Sequence, residues 1–469
     1  MAESKIMRKF SRKQKLFWAS AAFGGAIISN IYGATLQYFY HVYMNLGASW
    51  IALSALLYAI WNAVNDPLFG FWSDRSRSKK GRRIPFMRYS APFLGLTFIL
   101  VWLVPIGLDQ IGIFIWMLVT MALYDTFYTI IFLVYSALLP EITEDENERG
   151  ALQTYGSLLT LVGMILGFVL PEVLRPHVGQ TDLFPFYIGM MIIGIIGALL
   201  ILITTYKFKE RPEFTLVDIP LSLKDSLKYT FKSKSFIILV SANFMTIFMQ
   251  QLLLSHIFYL ADYVMQVSSI LLFLCVIIGL LAGTFVANIL AGKFGVVKAN
   301  QLLLLIGSIP LILIFFVDGV IIYVFQILAG FGLSGPLVLT NVLFAQVCDE
   351  DEIRSGVRRE AAFFGINALV TKPAQSLSLI IGPSLLTIAG FLTSPTGEII
   401  LSQPTSALLA IKALVGLIPG LAVLIGAIIL IWYPLKGDYL KEVKQKILDI
   451  HGEKELKLKE LQSKNISKE

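Results

Sequence analysis

Three ionisable side chains stand deep within long apolar stretches: Asp66, Asp125 and Lys372. Placing a charge at the centre of a hydrocarbon layer costs about 2.5–3.5 kcal/mol on insertion scales, so each needs a partner or a wet cavity. Either they form structural ion pairs or a solute and its driving ion visit them. Asp66 lies one turn after Asn62 and two turns after Tyr58, which puts the three on one helix face. Asp125 precedes Phe132 by two turns on roughly the same face of another helix.

Uncharged polar groups recur at helical spacing as well. Asn30, Gly33 and Gln37 form one stripe, and Gln250, Gln251, Ser255, His256 and Tyr259 cluster on a later segment. Amides and aromatics, Tyr124 and Tyr128 included, suit sugar hydroxyls and ring faces. Hydrogen bonds between helices explain the same residues equally well. His256 reads as a hydrogen-bonded structural residue or as a proton relay.

The elements that must position these groups are written in the composition. Of 469 residues, 56% are hydrophobic and 15% charged, with a mean hydropathy of +0.75. Soluble domains carry nearer 25% charged residues, so most of this surface faces lipid. Apolar runs of about 20 residues recur along the chain, the length of a helical membrane crossing. Continuous runs, not two-residue alternation, select helices over a barrel. Twelve spans are expected, near 16–40, 50–73, 88–106, 111–139, 150–172, 183–206, 235–262, 268–292, 298–317, 319–347, 360–391 and 405–433. The first run is too long for a signal-peptide core and reads as a retained span.

With the N-terminus cytoplasmic, 35 of the 38 lysines and arginines fall on the cytoplasmic side, which satisfies the positive-inside rule. Arg175 and Lys412 lie outside, and Lys372 within a span. The net charge of +7 therefore serves membrane orientation, and no nucleic-acid partner is expected. Both termini are expected in the cytoplasm and the protein in the plasma membrane. Cys275 and Cys348 suggest neither a disulfide framework nor a metal site. His41, His177, His256 and His451 are scattered, and no Gly-x-x-x-x-Gly-Lys loop supports nucleotide hydrolysis. The chain reads as a carrier and not an enzyme, with no cofactor.

The most specific segment runs Trp61-Asn62-Ala63-Val64-Asn65-Asp66-Pro67-Leu68-Phe69-Gly70-Phe71-Trp72-Ser73-Asp74-Arg75, with Gly81, Arg82, Arg83, Ile84 and Pro85 beyond. An acid at a helix end followed by arginines can latch neighbouring helix ends through charge and dipole. Gly70, Asp74, Arg75, Gly81 and Arg82 are its candidate gating residues. The stretch from Cys348 to Glu360 mixes Asp349, Glu350, Asp351 and Glu352 with Arg354, Arg358 and Arg359; it reads as a solvated turn or, through Asp349, Arg358 and Glu360, as a second gate. Glycines 330, 332 and 335 before Pro336 could let the tenth span bend.

The first of these segments resembles the conserved loop of the glycoside–pentoside–hexuronide:cation symporters, the melibiose-permease-like branch of the major facilitator superfamily. Val134 to Glu141, Asp349 to Phe364 and Tyr433-Pro434-Leu435 are similar to that family too. The resemblance implies an all-α membrane fold of two six-helix bundles, 1–206 and 235–433, joined by a cytoplasmic linker at 207–234 and followed by a tail at 434–469. It also implies a site between the halves. In the family, the positions held here by Asn62 and Asp66 form an acidic pair that binds the coupling cation, with the lysine matching Lys372 nearby. Here Asn62 keeps an oxygen and loses a charge. The family's fourth-span acid falls on Phe132, its sugar-contacting tryptophan on Ser136, its fifth-span arginine near Ser157 and its first-span acid near Ala26. Galactoside specificity is therefore not implied.

What remains can still couple. Lys372 and Asp66 can neutralise each other when empty, and a proton or cation on Asp66 frees the lysine for solute. A lone carboxylate in a low-dielectric cavity holds a proton readily, which favours H⁺ slightly over Na⁺. The expected activity is cation-coupled symport of a sugar, glycoside or related polar solute, by a monomer in contact with membrane lipid. An amphiphile carrier of lysolipid type, or a non-transporting sensor on the same fold, is the alternative. The tail from Lys436, with Leu440, Val443, Ile447 and Ile450 at helical spacing, reads as a surface helix held near anionic lipid.

Overall fold

A computed structural model describes residues 9–75, 83–142, 146–208, 230–355, 360–447 and 449–450. Every regular element among the described residues is helical, without a strand. In chain order they are α1 (Arg12–Tyr38), α2 (Ala48–Arg75), α3 (Ile84–Trp102), α4 (Gln110–Ile142), α5 (Glu146–Leu174), α6 (Phe184–Lys207), α7 (Lys234–Tyr259), α8 (Ser269–Phe294), α9 (Val296–Ile314), α10 (Ile321–Ser355), α11 (Glu360–Ile388), α12 (Thr405–Lys412) and α13 (Ile418–Ile429). Single π turns extend α1 over Phe39–Tyr43 and α7 over Leu260–Met265, and a third, Ala413–Leu417, joins α12 to α13. Eleven spans among the described residues are long and apolar enough to cross a membrane. Helix α11, 29 residues long, is more polar through Lys372, Gln375, Ser376 and Ser378 and is not among those eleven.

Compactness groups the chain into two units. One comprises Met1–Pro220, Gln251–Phe273 and Gln375–Val415; the other Leu221–Gln250, Leu274–Ala374 and Gly416–Glu469. In the first unit, α1 packs closely on α5 because Gly163 and Gly167 present bare backbone to it. A Cβ at Gly163 would come 2.8 Å from Ala26 Cβ, and one at Gly167 2.8 Å from Asn30 Cβ. Such contact replaces the hydrophobic drive that lipid cannot supply between spans. Near the start of α1, Trp18, Leu138, Ile142 and Leu152 share a buried cluster, with Tyr135 stacked on Trp18 at 4.4 Å.

In the second unit, Ala287, Ala299, Leu303 and Leu339 form a cluster joining α8, α9 and α10. Gly330 and Gly332 lie against Val276 and Gly307. These glycines permit close approach of helices, while α10 runs unbroken through Pro336. The expected turn after Cys348 is corrected. Helix α10 continues to Ser355, and Glu350, Asp351 and Glu352 are buried on it. Glu350 accepts from Arg354 at 2.8 Å and from the Tyr439 hydroxyl at 2.9 Å. The tail helix over 437–447 buries Val443 and Ile447. Its apolar stripe thus packs on protein at these two residues. Its outer face carries exposed pairs such as Asp438–Lys441, in which the lysine's hydrogen bond, 2.8 Å long, holds the Asp438 carboxyl below its ordinary value.

Candidate functional site

Helices α2 and α4 of the first unit bring a polar cluster together. Tyr58, Asn62 and Asn65 fall one turn apart on α2 and are all buried. Asp125, only 6% exposed, meets them from α4. The Tyr58 hydroxyl donates to Asp125 Oδ1 at 3.0 Å, and Asn65 Nδ2 donates to Oδ2 at 2.8 Å. Asn62 Nδ2 donates in turn to the Tyr58 oxygen at 3.2 Å. Both amides thereby leave their carbonyl oxygens, Asn62 Oδ1 and Asn65 Oδ1, buried without a hydrogen bond. An unmet buried oxygen costs about 1–3 kcal/mol, so each of these two is available as a hard ligand for a cation. Asp125 stands 15 residues into a 33-residue helix, near mid-span.

An aromatic column runs beside the cluster. Tyr32 stacks on Tyr124 at 4.2 Å, Tyr124 on Tyr128 at 5.8 Å, and Tyr128 meets Phe132 at 4.5 Å. The hydroxyls of Tyr32 and Tyr124 lack partners. Ring faces with spare hydroxyls can hold a polar ring-shaped solute.

A second polar group joins α1 to the 251–259 stretch of α7. Gln37 Nε2 lies 2.7 Å from His256 Nε2, and His256 Nδ1 lies 2.9 Å from the Leu252 carbonyl. The carbonyl can only accept, so Nδ1 carries the proton and Nε2 accepts from Gln37. His256 is thus hydrogen-bonded at both nitrogens. His41 Nδ1 meets the Tyr259 hydroxyl at 2.9 Å. Gly382 closes over this group, since a side chain there would collide with His256 and Gln37. Asn30 turns its amide back to Ala26 O at 2.8 Å.

One charged network escaped the sequence reading. Arg175, fully buried where α5 ends, is gripped by Asp262 in a two-toothed pair, Nη1–Oδ2 at 2.6 Å and Nη2–Oδ1 at 2.8 Å. Its Nε donates to Glu172 at 2.6 Å, and the Tyr38 hydroxyl also donates to Asp262. Glu172 then accepts from Ser268 at 3.2 Å and from the Ser269 N–H at 3.1 Å. Charge-assisted forks of this kind are strong and directional. This staple fastens α5 to the π turn after α7 and to the start of α8. Arg175 lies beyond the expected span 150–172 and Asp262 is the last residue of that at 235–262, so neither stands among the three charges deep in apolar runs.

Asn62, Asp125 and Tyr58 thus come together, and Tyr128 stands in the adjoining column. Asn65 was missed, though its position three residues after Asn62 on the same face is the signal that finds it. Gln37 belongs to the histidine group. Lys372, part-buried and partnered, lies on α11 in the second unit. Asp66, Gly70, Asp74 and Arg75 lie on α2 and Glu360 opens α11, but their side chains are outside the described residues, as are Gly81, Arg82 and Arg358 altogether. Asp349 is helical on α10.

The family model described as MFS/sugar transport protein matches residues 17–437. Among relatives, the sodium-dependent lysophosphatidylcholine symporter 1 of Xenopus tropicalis is 25% identical, over 82% of this chain and 80% of its own. The putative glycoside/cation symporter YagG of Escherichia coli K12 is 27% identical, over 82% and 83%. The crystal structure of a bacterial homologue of the human lysosomal transporter Spinster matches with a TM-score of 0.64 at 13% identity, covering 94% of this chain and 99% of that one, a likeness of fold. The chain belongs to the MFS/sugar transport protein family, among the glycoside–pentoside–hexuronide:cation symporters of the major facilitator superfamily: a multi-pass membrane secondary transporter and not an enzyme.

Proposed function

We propose that this carrier couples the movement of an organic solute to a cation held by Asp125, Asn62, Asn65 and Tyr58. The observation that carries the reading is the pair of unpartnered amide oxygens, Asn62 Oδ1 and Asn65 Oδ1, beside the buried Asp125 carboxylate. A proton needs only the carboxylate. Na⁺ uses the carboxylate and the idle oxygens together, so the described geometry moves the preference from H⁺ toward Na⁺. Asp66, one residue on from Asn65, is proposed to add a second negative charge, and Lys372 to take part in coupling.

The solute proposed first is a sugar, glycoside or similar polar molecule, supported by the aromatic column Tyr32, Tyr124, Tyr128 and Phe132 with its spare hydroxyls. A lysolipid-like amphiphile is the second reading, supported by the similarity to a lysophosphatidylcholine symporter. With both termini cytoplasmic, the Arg175 staple lies at the outer end and is proposed to hold that end shut in one state of an alternating-access cycle. Proteoliposomes loaded against a radiolabelled panel of sugars, glycosides and lysolipids, with H⁺ and Na⁺ gradients imposed separately, test the whole reading. Accumulation of a sugar under the Na⁺ gradient is expected. Accumulation under neither gradient would overturn cation coupling.

A further inference from the structure

A groove of about 300 Å³ lies between α9 and α13 in the second unit, lined by Phe294, Lys298, Gln301, Leu302, Leu305, Ala427, Ile428 and Ile431. Lys298, Leu302 and Leu305 follow one another at helical spacing on α9, so the groove passes from a cationic mouth to an apolar floor over about 10 Å of helix. Its floor is exposed: Leu302, Leu305, Ile428 and Ile431 all present their side chains outward. Gln301 Nε2 donates to the Ala427 carbonyl at 3.3 Å and ties the two helices beneath it.

The mouth gathers further positive charge. Lys436 Nζ donates to the carbonyl of Ile431, itself part of the lining, at 2.7 Å. Lys293 Nζ lies 5.4 Å from the ring of Phe294 at the same end. No carboxylate among the described residues pairs with Lys293, Lys298 or Lys436. Trp432, exposed beside Ile431, is the residue type that settles at the headgroup level of a bilayer.

We propose that this groove is a binding site for an anionic phospholipid of the surrounding bilayer, its phosphate on Lys298 and Lys436 and one acyl chain along Leu302, Leu305 and Ile428. Charge complementarity selects the occupant: basic pockets between spans at a membrane surface hold anionic headgroups, and an apolar floor leading away from the lysines has no use for a small soluble anion. Lysine stems lie along the apolar wall while their ammonium groups reach the headgroup. The site is separate from the α2–α4 cluster and stands whether or not the coupling proposal holds.

Native mass spectrometry of the full chain, released from micelles holding equal amounts of phosphatidylglycerol and phosphatidylcholine with matched acyl chains, tests it. Preferential retention of phosphatidylglycerol is expected. Lys298→Gln with Lys436→Gln should weaken that retention about fivefold for each lysine, while phosphatidylcholine is unaffected. Leu305→Trp, which fills the floor and leaves the lysines in place, should reduce retention of both lipids. Equal retention of the two lipids by the wild type, or unchanged preference in the double variant, overturns the proposal. So does release by millimolar inorganic phosphate, which would assign the lysines to a soluble anion. A dimer mass replacing the lipid adduct would give the groove to a second copy of the chain.

Discussion

Replacing Asp262 with Asn tests the staple at the end of α5. The wild-type carboxylate accepts two bonds from Arg175, at 2.6 and 2.8 Å, and one from Tyr38. Removing one partner of a buried ion pair costs about 3–5 kcal/mol, because the remaining charge is left stranded. Glu172 stays 2.6 Å from Arg175 Nε, and the asparagine keeps one oxygen, so the lower end, about 3 kcal/mol, applies. At about 1.4 kcal/mol per decade, that is roughly a hundredfold shift against the state in which the staple is closed. A cysteine at Ser255, buried on α7 about two turns from Asp262, reports on that state when a membrane-impermeant thiol reagent is added outside the cell. Cys275 and Cys348 are both buried, so the background is quiet. Labelling of Ser255→Cys should accelerate by up to about a hundredfold with Asp262→Asn, and Asp262→Glu should stay slow. An unchanged rate, with a lowered melting temperature, would make the staple a structural pair without a part in gating.

The remaining predictions concern coupling and packing. Asp125→Asn should raise the cation concentration for half-maximal uptake by tenfold or more (about 1.4 kcal/mol) while solute exchange without a gradient persists; cation titration of uptake in proteoliposomes checks it. Asn65→Ala should weaken cation dependence without altering the amount of folded protein, and unaltered dependence removes that oxygen from the site. Asp66→Asn is expected to abolish concentrative uptake and Lys372→Ala to impair binding or coupling more than expression, both read by accumulation assays against protein yield. Gly167→Leu should destabilise by about 1–3 kcal/mol, since even a Cβ there meets Asn30 and Ile27, and melting in detergent measures it.

Much of the architecture was legible because apolar run length is a one-dimensional property. The expected span at 111–139 became Gln110–Ile142, and that at 183–206 became Phe184–Lys207. Span ends were harder. The acids after Cys348 look like a loop by composition, yet the helix continues and buries three of them; Glu350 is met by Arg354 one turn on and by Tyr439, 89 residues away, a partner that local sequence does not reveal. The cluster on α2 was half visible. Spacing alone places Tyr58 and Asn62 together, but the approach of Asp125 from α4 depends on helix packing. Arg175 and Asp262 were hidden for the same reason: two charges 87 residues apart show no mutual signal until the π turn after α7 brings one to the other.

The folded-back C-terminal segment sets a practical boundary on the polypeptide. Tyr439 grips Glu350, and Val443 and Ile447 are tucked away from solvent, so the lysine-rich end begins as a fitted part of the second unit. Shortening the protein ahead of Tyr439 would leave Glu350 with Arg354 as its sole described donor, and shortening it ahead of Ile447 would bare an oily scar. Reporter fusions and affinity handles therefore belong beyond that residue.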